Sequence, residues 1–215
     1  MNAVPSCLFS QDREADVIFL NKRRCGRNDH GRTRHAAEPR FSPQAGAPGP
    51  SEQELDQIFA SAVRALDHGR LRPWRFVVIL TDQRAAFGEV MATSMAQRDP
   101  NANGEALPRE RDKAMRAPVI AAVAAHVQKG HRILEFEQTA SVSAAAQNIM
   151  LAAGALSYGV MWKTGDPAYD PTVKTALGLE TTDEIIGFLC LGTSVGPASP
   201  AARPSAREYV TVWRG

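Results

Sequence analysis

The sequence predicts an α+β domain in three layers, a mixed central sheet flanked by helices. Three observations carry this. The segments Trp74–Leu80, Val119–Val127 and Ile185–Leu191 are apolar and rich in β-branched or aromatic residues, as strands covered on both faces are. Between them lie segments with apolar residues at helical spacing. The strands alternate irregularly with the helices, and the crossovers differ in length.

In chain order, residues 15–24 (ADVIFLNKRR) read as a short helix with basic residues in its last turn. Residues 25–50 lack helical or strand periodicity and end in Pro/Gly-rich PQAGAPGP, the pattern of a loop or insertion. Ser51-x-x-Glu54 is a capping box, followed by Leu55, Ile58, Phe59, Ala62 and Leu66 at helical spacing. After the strand at 74–80 come a helix over 83–97, a polar loop over 98–108 and a charged helix over 109–116. The strand at 119–127 leads to a long helix over 135–157, rich in small residues from Ser141 to Ala146 and Ala152 to Ala155. Small side chains allow close approach, so this helix is expected at the centre or at an interface. A short strand at 159–162, a helix at 171–178 and the strand at 185–191 follow. A Pro/Ala-rich tether (197–206) ends in the strand-like tail Tyr209–Trp213, which has no sequence neighbour to pair with. The division is residues 1–50, helix plus irregular segment, and residues 51–215, one folded domain.

The chain has 215 residues, 44% hydrophobic and 22% charged, within the range of soluble globular proteins. No apolar run approaches the roughly 20 residues of a membrane span, so no membrane partner is expected. The first residues, MNAVPSCLFSQDREAD, do not read as an export signal. Cys7, Cys25 and Cys190 are far apart and odd in number, which suggests reduced thiols in the cytoplasm. The formal net charge of +2 conceals a basic arm: Lys22–Arg40 carries a net +5, leaving −3 for the rest. Nucleic-acid binding through this arm is one reading, but stacking aromatics and known nucleic-acid motifs are missing from it, and a solvated loop is the default.

Phosphate loops and GxGxxG turns are missing from the sequence. His30/His35 and His126/His131 are each five apart, off the shared helical face of a HExxH site, so no metal is expected. Cys190 sits in a buried strand, where a thiol is normally a small hydrophobe. What remains is scattered: Arg23-Arg24-Cys25, Arg64 with His68 four residues on, Arg70, Arg72-Pro73-Trp74 and Trp162-Lys163-Thr164. The spacing of Arg64 and His68 puts both on one face at the end of the capped helix. Singly, each reads as a solvated side chain.

Together they resemble the nitroreductase family of FMN-dependent oxidoreductases, in its small bacterial branch. The resemblance rests on Ala65-Leu-Asp-His68 through Pro73-Trp74, on Arg23-Arg24-Cys25, and on Lys113-Ala-Met-Arg-Ala-Pro118. Glu137-Gln138, Trp162-Lys163-Thr164-Gly165 and Gly187–Thr193 complete it. It implies a nitroreductase-like fold, with FMN as cofactor and NAD(P)H as co-substrate. It implies hydride transfer through the flavin to a nitroaromatic, quinone or similar small-molecule acceptor by a ping-pong mechanism. It further implies a homodimer with FMN at the interface and the C-terminal strand exchanged with the partner. Carried over by position, Arg23, Arg24 and Cys25 match contacts to the FMN phosphate and ribityl chain. Arg64, His68, Trp162, Lys163 and Thr164 match flavin contacts, and residues 152–157 border the nicotinamide site. No side chain is required as an acid or base, so no catalytic residue is assigned. The sequence departs from the family pattern at Cys25, in place of Ser, at Leu66, in place of Pro, and at 26–50. That stretch reads as an insertion, or as a frame-shifted segment that regains register near Pro50. Alternatives left open are another flavin reaction on the same fold (dehalogenation or flavin destruction) and a non-catalytic flavin- or nucleic-acid-binding protein. The choice between NADH and NADPH is open as well.

Overall fold

A computed structural model describes residues 45–102, 104–195 and 204–215. The expected helix at 15–24 and the candidate contacts Arg23, Arg24 and Cys25 lie outside the described residues. The strands are β1 (Ala45–Gly46), β2 (Trp74–Ile79), β3 (Val119–Ala125), β4 (Tyr158–Lys163) and β5 (Glu184–Ser194). The helices are α1 (Glu52–Ala62), α2 (Arg84–Arg98), α3 (Ala106–Lys113), α4 (Glu135–Ala155), α5 (Asp166–Tyr169) and α6 (Pro171–Ala176). The architecture is α+β in three layers, as expected. Every pairing between described strands is antiparallel, where a mixed sheet was expected. The sheet runs β4–β5–β3–β2, and β1 pairs with the far end of β5 on the β3 side.

Alternation along the strands divides the core in two. The division is clearest on β3, where Val119, Ala121, Val123 and Ala125 face α1 and α4, whereas Ile120, Ala122 and Ala124 face the layer of α2 and α6. The small residues of α4 do what their size suggests. Ser141, Val142, Ala145, Ala146 and Ile149 are buried, and α1 packs along them. The capping box at Ser51 and Glu54 forms, and Tyr158 at the start of β4 donates a hydrogen bond to the same Glu54 carboxylate at 2.9 Å. The Ser51 side-chain and backbone hydrogen bonds, with that from Tyr158, lower the pKa of Glu54.

Two expectations are corrected, and the tail is described within one chain. The capped helix ends at Ala62, not near Leu66, whose side chain is 90% exposed. Residues 45–50, which composition grouped with the irregular segment, join the sheet: β1 pairs with Thr193 and Ser194, and the Pro48 carbonyl accepts from both the backbone and the side chain of Thr193. The tail at Tyr209–Trp213 forms no strand. It follows a short turn of 3₁₀ helix at Ala206–Glu208 and is exposed throughout. No helix among the described residues is long and apolar enough to cross a membrane.

β5 carries a bulge: Val123 pairs with Gly187 and Ala124 with Ile185, so Ile186 is the extra residue. Its carbonyl accepts from Trp162 Nε1 at 3.3 Å, and the indole lies on Gly187. A Cβ at Gly187 would overlap the indole and stand 2.9 Å from the Lys163 carbonyl. Gly187→Ala should therefore destabilise the fold by about 1–3 kcal/mol, the usual cost of overpacking, read as a lowered urea midpoint.

Asp170 caps α6, accepting from the Thr172 N–H at 2.8 Å, and its other oxygen accepts from Arg98 Nη1 at 2.8 Å. Burial works to raise its pKa. Hydrogen bonds from Ser94, from the Thr172 backbone, from Arg98 and from the Val173 backbone outweigh burial and hold it below the ordinary aspartate value. A carboxyl depressed in the folded state stabilises the fold above its unfolded pKa, about 3.9, and that contribution fades as pH falls through the folded value. Asp170→Asn should cost on the order of 2 kcal/mol at pH 7. Between pH 5 and 2 (roughly the span of this titration), urea melts of the variant should lose less stability than those of the wild type.

Candidate functional site

On the α2 face of the sheet lies a cavity of about 280 Å³. Phe87 and Met91 of α2, Ile120 of β3, Met161 of β4 and Phe188 of β5 give it apolar walls, and Cys190 adds a thiol. Lys113, Arg116 and Lys163 stand around it with Thr164 and with Asp166, whose carboxylate lies 3.8 Å from Arg98. Strand alternation explains the set. Met161 and Lys163 point to one side of β4, and Met161 pairs in register with Cys190. After Thr164 the chain turns at Gly165, whose φ of 123° a side chain would resist, and starts α5.

The charges are unequal. Lys113 is held by Glu110, a buried acid on the same helix whose Oε1 has no hydrogen-bond partner among the described residues. Arg116 and Lys163 have no carboxylate partner among the described residues. Burial pushes the Cys190 thiol pKa up, while Lys163 and Arg116 pull it the other way, and the net shift is upward. The thiol is thus protonated at neutral pH and serves as part of the wall. Chemically, the arrangement suits a ligand with a flat apolar body and an anionic end.

Of the residues singled out in the sequence, Lys163 and Thr164 lie on this cavity. Trp162 does not. Alternation sends it to the opposite face, where it packs beside the α1–α4 core and bonds the bulge carbonyl. Arg64 and His68 are not on one helical face, since α1 has already ended; Arg64 lies in the following turn and His68 begins a 3₁₀ turn at His68–Arg70. His68 Nδ1 is 2.8 Å from Glu137 Oε2, so the sequence pair Glu137-Gln138 is tied to the His68 loop. This loop leads into β2, one edge of the sheet, whereas Lys163 ends β4, the other edge. Three strand spacings separate those edges, roughly 14 Å. Ser157, after α4, adopts a φ of 70°, and the neighbouring Gly154 faces open space.

Sequence reasoning missed Lys113, Arg116 and the walls at Phe87, Met91, Met161 and Phe188 as site residues. The Lys113–Pro118 segment carried the signal for the two cations, but only the fold shows that it borders Lys163. Among the described residues, His126, Glu180 and Asp183 form one group of potential metal ligands, with atoms within 4.8 Å of one another. Both Asp183 oxygens are already engaged, one with His126 Nδ1 at 2.8 Å and one accepting from the Glu180 N–H at 2.9 Å.

Comparison with known proteins agrees with this architecture. The family model described as "Nitroreductase family" matches residues 45–193. The curated protein "Putative NAD(P)H nitroreductase YdjA" of Escherichia coli K12 is 32% identical over 165 residues, covering 76% of this chain and 89% of its own. A nitroreductase-like family protein from Bacillus cereus superposes with a TM-score of 0.74 at 21% identity, over 86% of this chain and 96% of that one. A nitroreductase from Bacteroides fragilis, solved with bound FMN, gives a TM-score of 0.65 at 17% identity, over 85% and 98%. With most of its described fold inside the matched region, this chain belongs to the nitroreductase family.

Proposed function

We propose that the chain is an FMN-dependent oxidoreductase that draws hydride from NAD(P)H and reduces a nitroaromatic, quinone or similar small acceptor. The observation that carries this is the apolar cavity flanked by Arg116 and Lys163, two cations without a carboxylate partner among the described residues. The residues fit the group. Arg116 and Lys163 suit a phosphate, Thr164 offers a hydroxyl donor, and the walls suit an apolar ring system. Held by these residues, FMN would supply the redox chemistry between NAD(P)H and the acceptor, in the two halves of a ping-pong cycle.

The chain's own residues bind, orient and tune. Lys163 supplies positive charge that favours the reduced, anionic cofactor. Arg23, Arg24 and Cys25 complete the grip on the phosphate and ribityl end, and Arg64 with His68 contacts the flavin. With the His68 loop and Lys163 on opposite edges of the sheet, the reading places FMN between two chains, each lending one edge to a shared site. The exposed tail, with Tyr209 74% and Trp213 88% exposed, is the segment that embraces the partner. Trp162 acts by holding β4 against the β5 bulge, and so fixes Lys163. A cytoplasmic location belongs to the same reading.

The purified protein should show a flavin spectrum, or acquire one with added FMN, and should bleach under anaerobic NADH or NADPH. A protein that stays colourless with FMN sinks the proposal. Lys163→Ala and Arg116→Ala should each weaken FMN binding about tenfold or more, the worth of one charge-assisted hydrogen bond, as read by fluorescence titration. Deleting residues 207–215 should weaken dimerisation and FMN retention together; a truncated protein that stays dimeric and yellow refutes the role given to the tail.

A further inference from the structure

Two loops lie side by side near the start of β2. One joins α1 to β2 (63–73) and the other joins β3 to α4 (126–134). The Pro73 carbonyl accepts from the His126 N–H at 2.7 Å, Gly69 lies against the Ile133 side chain, and His68 pairs with Glu137. The buried Gln138 amide accepts from the Gln128 N–H and donates to the Gln128 and Ile133 carbonyls. The pair is therefore braced on both sides.

What the loops present is positive. Arg70, Arg72, Lys129 and Arg132 have no carboxylate partner among the described residues, and all four are exposed. Asp67, the acid within the first loop, instead accepts from the Arg72 backbone N–H at 2.7 Å and so shapes the turn. Arg70 and Arg72 have φ of 56° and 50°, the left-handed region where glycine or asparagine sits at least cost. Both arginines therefore sit at strained backbone positions. Phe136, in the first turn of α4 and one residue before Glu137, leaves its ring 78% exposed beside these loops.

We infer that these paired loops bind the 2′-phosphorylated adenosine end of a nicotinamide dinucleotide, which makes NADPH the preferred hydride donor. The inference rests on the oxidoreductase reading above. A doubly charged phosphate monoester suits clustered arginines, whose forked donors take two oxygens at once. The exposed phenyl ring offers adenine a stacking surface.

Calorimetric titration of the full chain with 2′,5′-ADP and with 5′-AMP tests this without nicotinamide or turnover. The 2′-phosphorylated compound should bind at least about tenfold more tightly, the worth of one charge-assisted hydrogen bond. Arg70→Gly combined with Arg72→Gly should abolish that preference while leaving the thermal midpoint unchanged or raised, because glycine relieves the left-handed strain. Arg132→Gln, at an unstrained position, should reduce the preference on its own. Equal affinity for the two nucleotides, a preference that survives in the variants, or tighter binding of duplex DNA that ignores the 2′-phosphate would each overturn the inference. Failure of the parent reading looks different: the 2′-phosphate preference persists, but FMN is neither retained nor reduced.

Discussion

β5 is hydrogen-bonded on both edges along most of its length, to β4 on one side and to β3, then β1, on the other. Each layer depends on its register. Past the bulge at Ile186, alternation places Phe188 and Cys190 on the cavity side, and Leu189 and Leu191 against α4. A slip of one residue would exchange those sets and put the cavity walls into the helical core. The bulge itself is secured from the neighbouring strand, by the Trp162 indole over Gly187. The residue that locks β4 to β5 thus adjoins Lys163, whose position beside the cavity is a consequence of that lock.

The opposite layer supplies rigidity. Its helices approach closely because α4 turns alanine and serine toward its neighbours, and Trp74 reaches across to donate to Ser141 at 3.1 Å. Tyr158 ties the first turn of α1 to β4 through Glu54. Contacts this tight tolerate little change in volume, so the two sheet edges that carry the candidate contacts keep a fixed separation. That constraint, and not the contents of either edge, turns an arrangement of scattered cations into an argument for assembly.

Most of the elements were legible because their signals are local. Val119–Ala125 is apolar on both faces, α4 is marked by its small residues, and Ser51 and Glu54 announce the start of α1. The departures come either from backbone geometry that residue spacing does not reveal or from partners distant in the chain. Leu66 keeps the helical spacing of α1, but the backbone has by then turned toward the left-handed Gly69. β1 is hidden in a Pro/Gly-rich stretch because its partners, Thr193 and Ser194, lie near the other end of the chain. Tyr209–Trp213 has strand composition, and composition alone cannot pair it. At the site, the tripeptide Trp162-Lys163-Thr164 reads as one unit, yet a strand sends adjacent side chains to opposite faces. Arg116 looked like one more charge on a solvated helix until the fold set it beside Lys163.

The placement of charge separates what folding requires from what it does not. Where stability is the concern, cations here are matched: Arg98 with buried Asp170, Lys113 with buried Glu110, Arg111 with Glu89. Arg116 and Lys163 are not matched among the described residues, although they flank an apolar cavity and disturb the thiol of Cys190 inside it. Exposed unpaired cations add little to stability, and setting two near each other works against the fold through repulsion. Such an arrangement becomes favourable when an anion joins it, and the apolar walls favour an anion that carries a ring system. The fold thus holds open an electrostatic deficit beside its sheet, and a ligand that filled it would also cover the hydrophobic surface behind it.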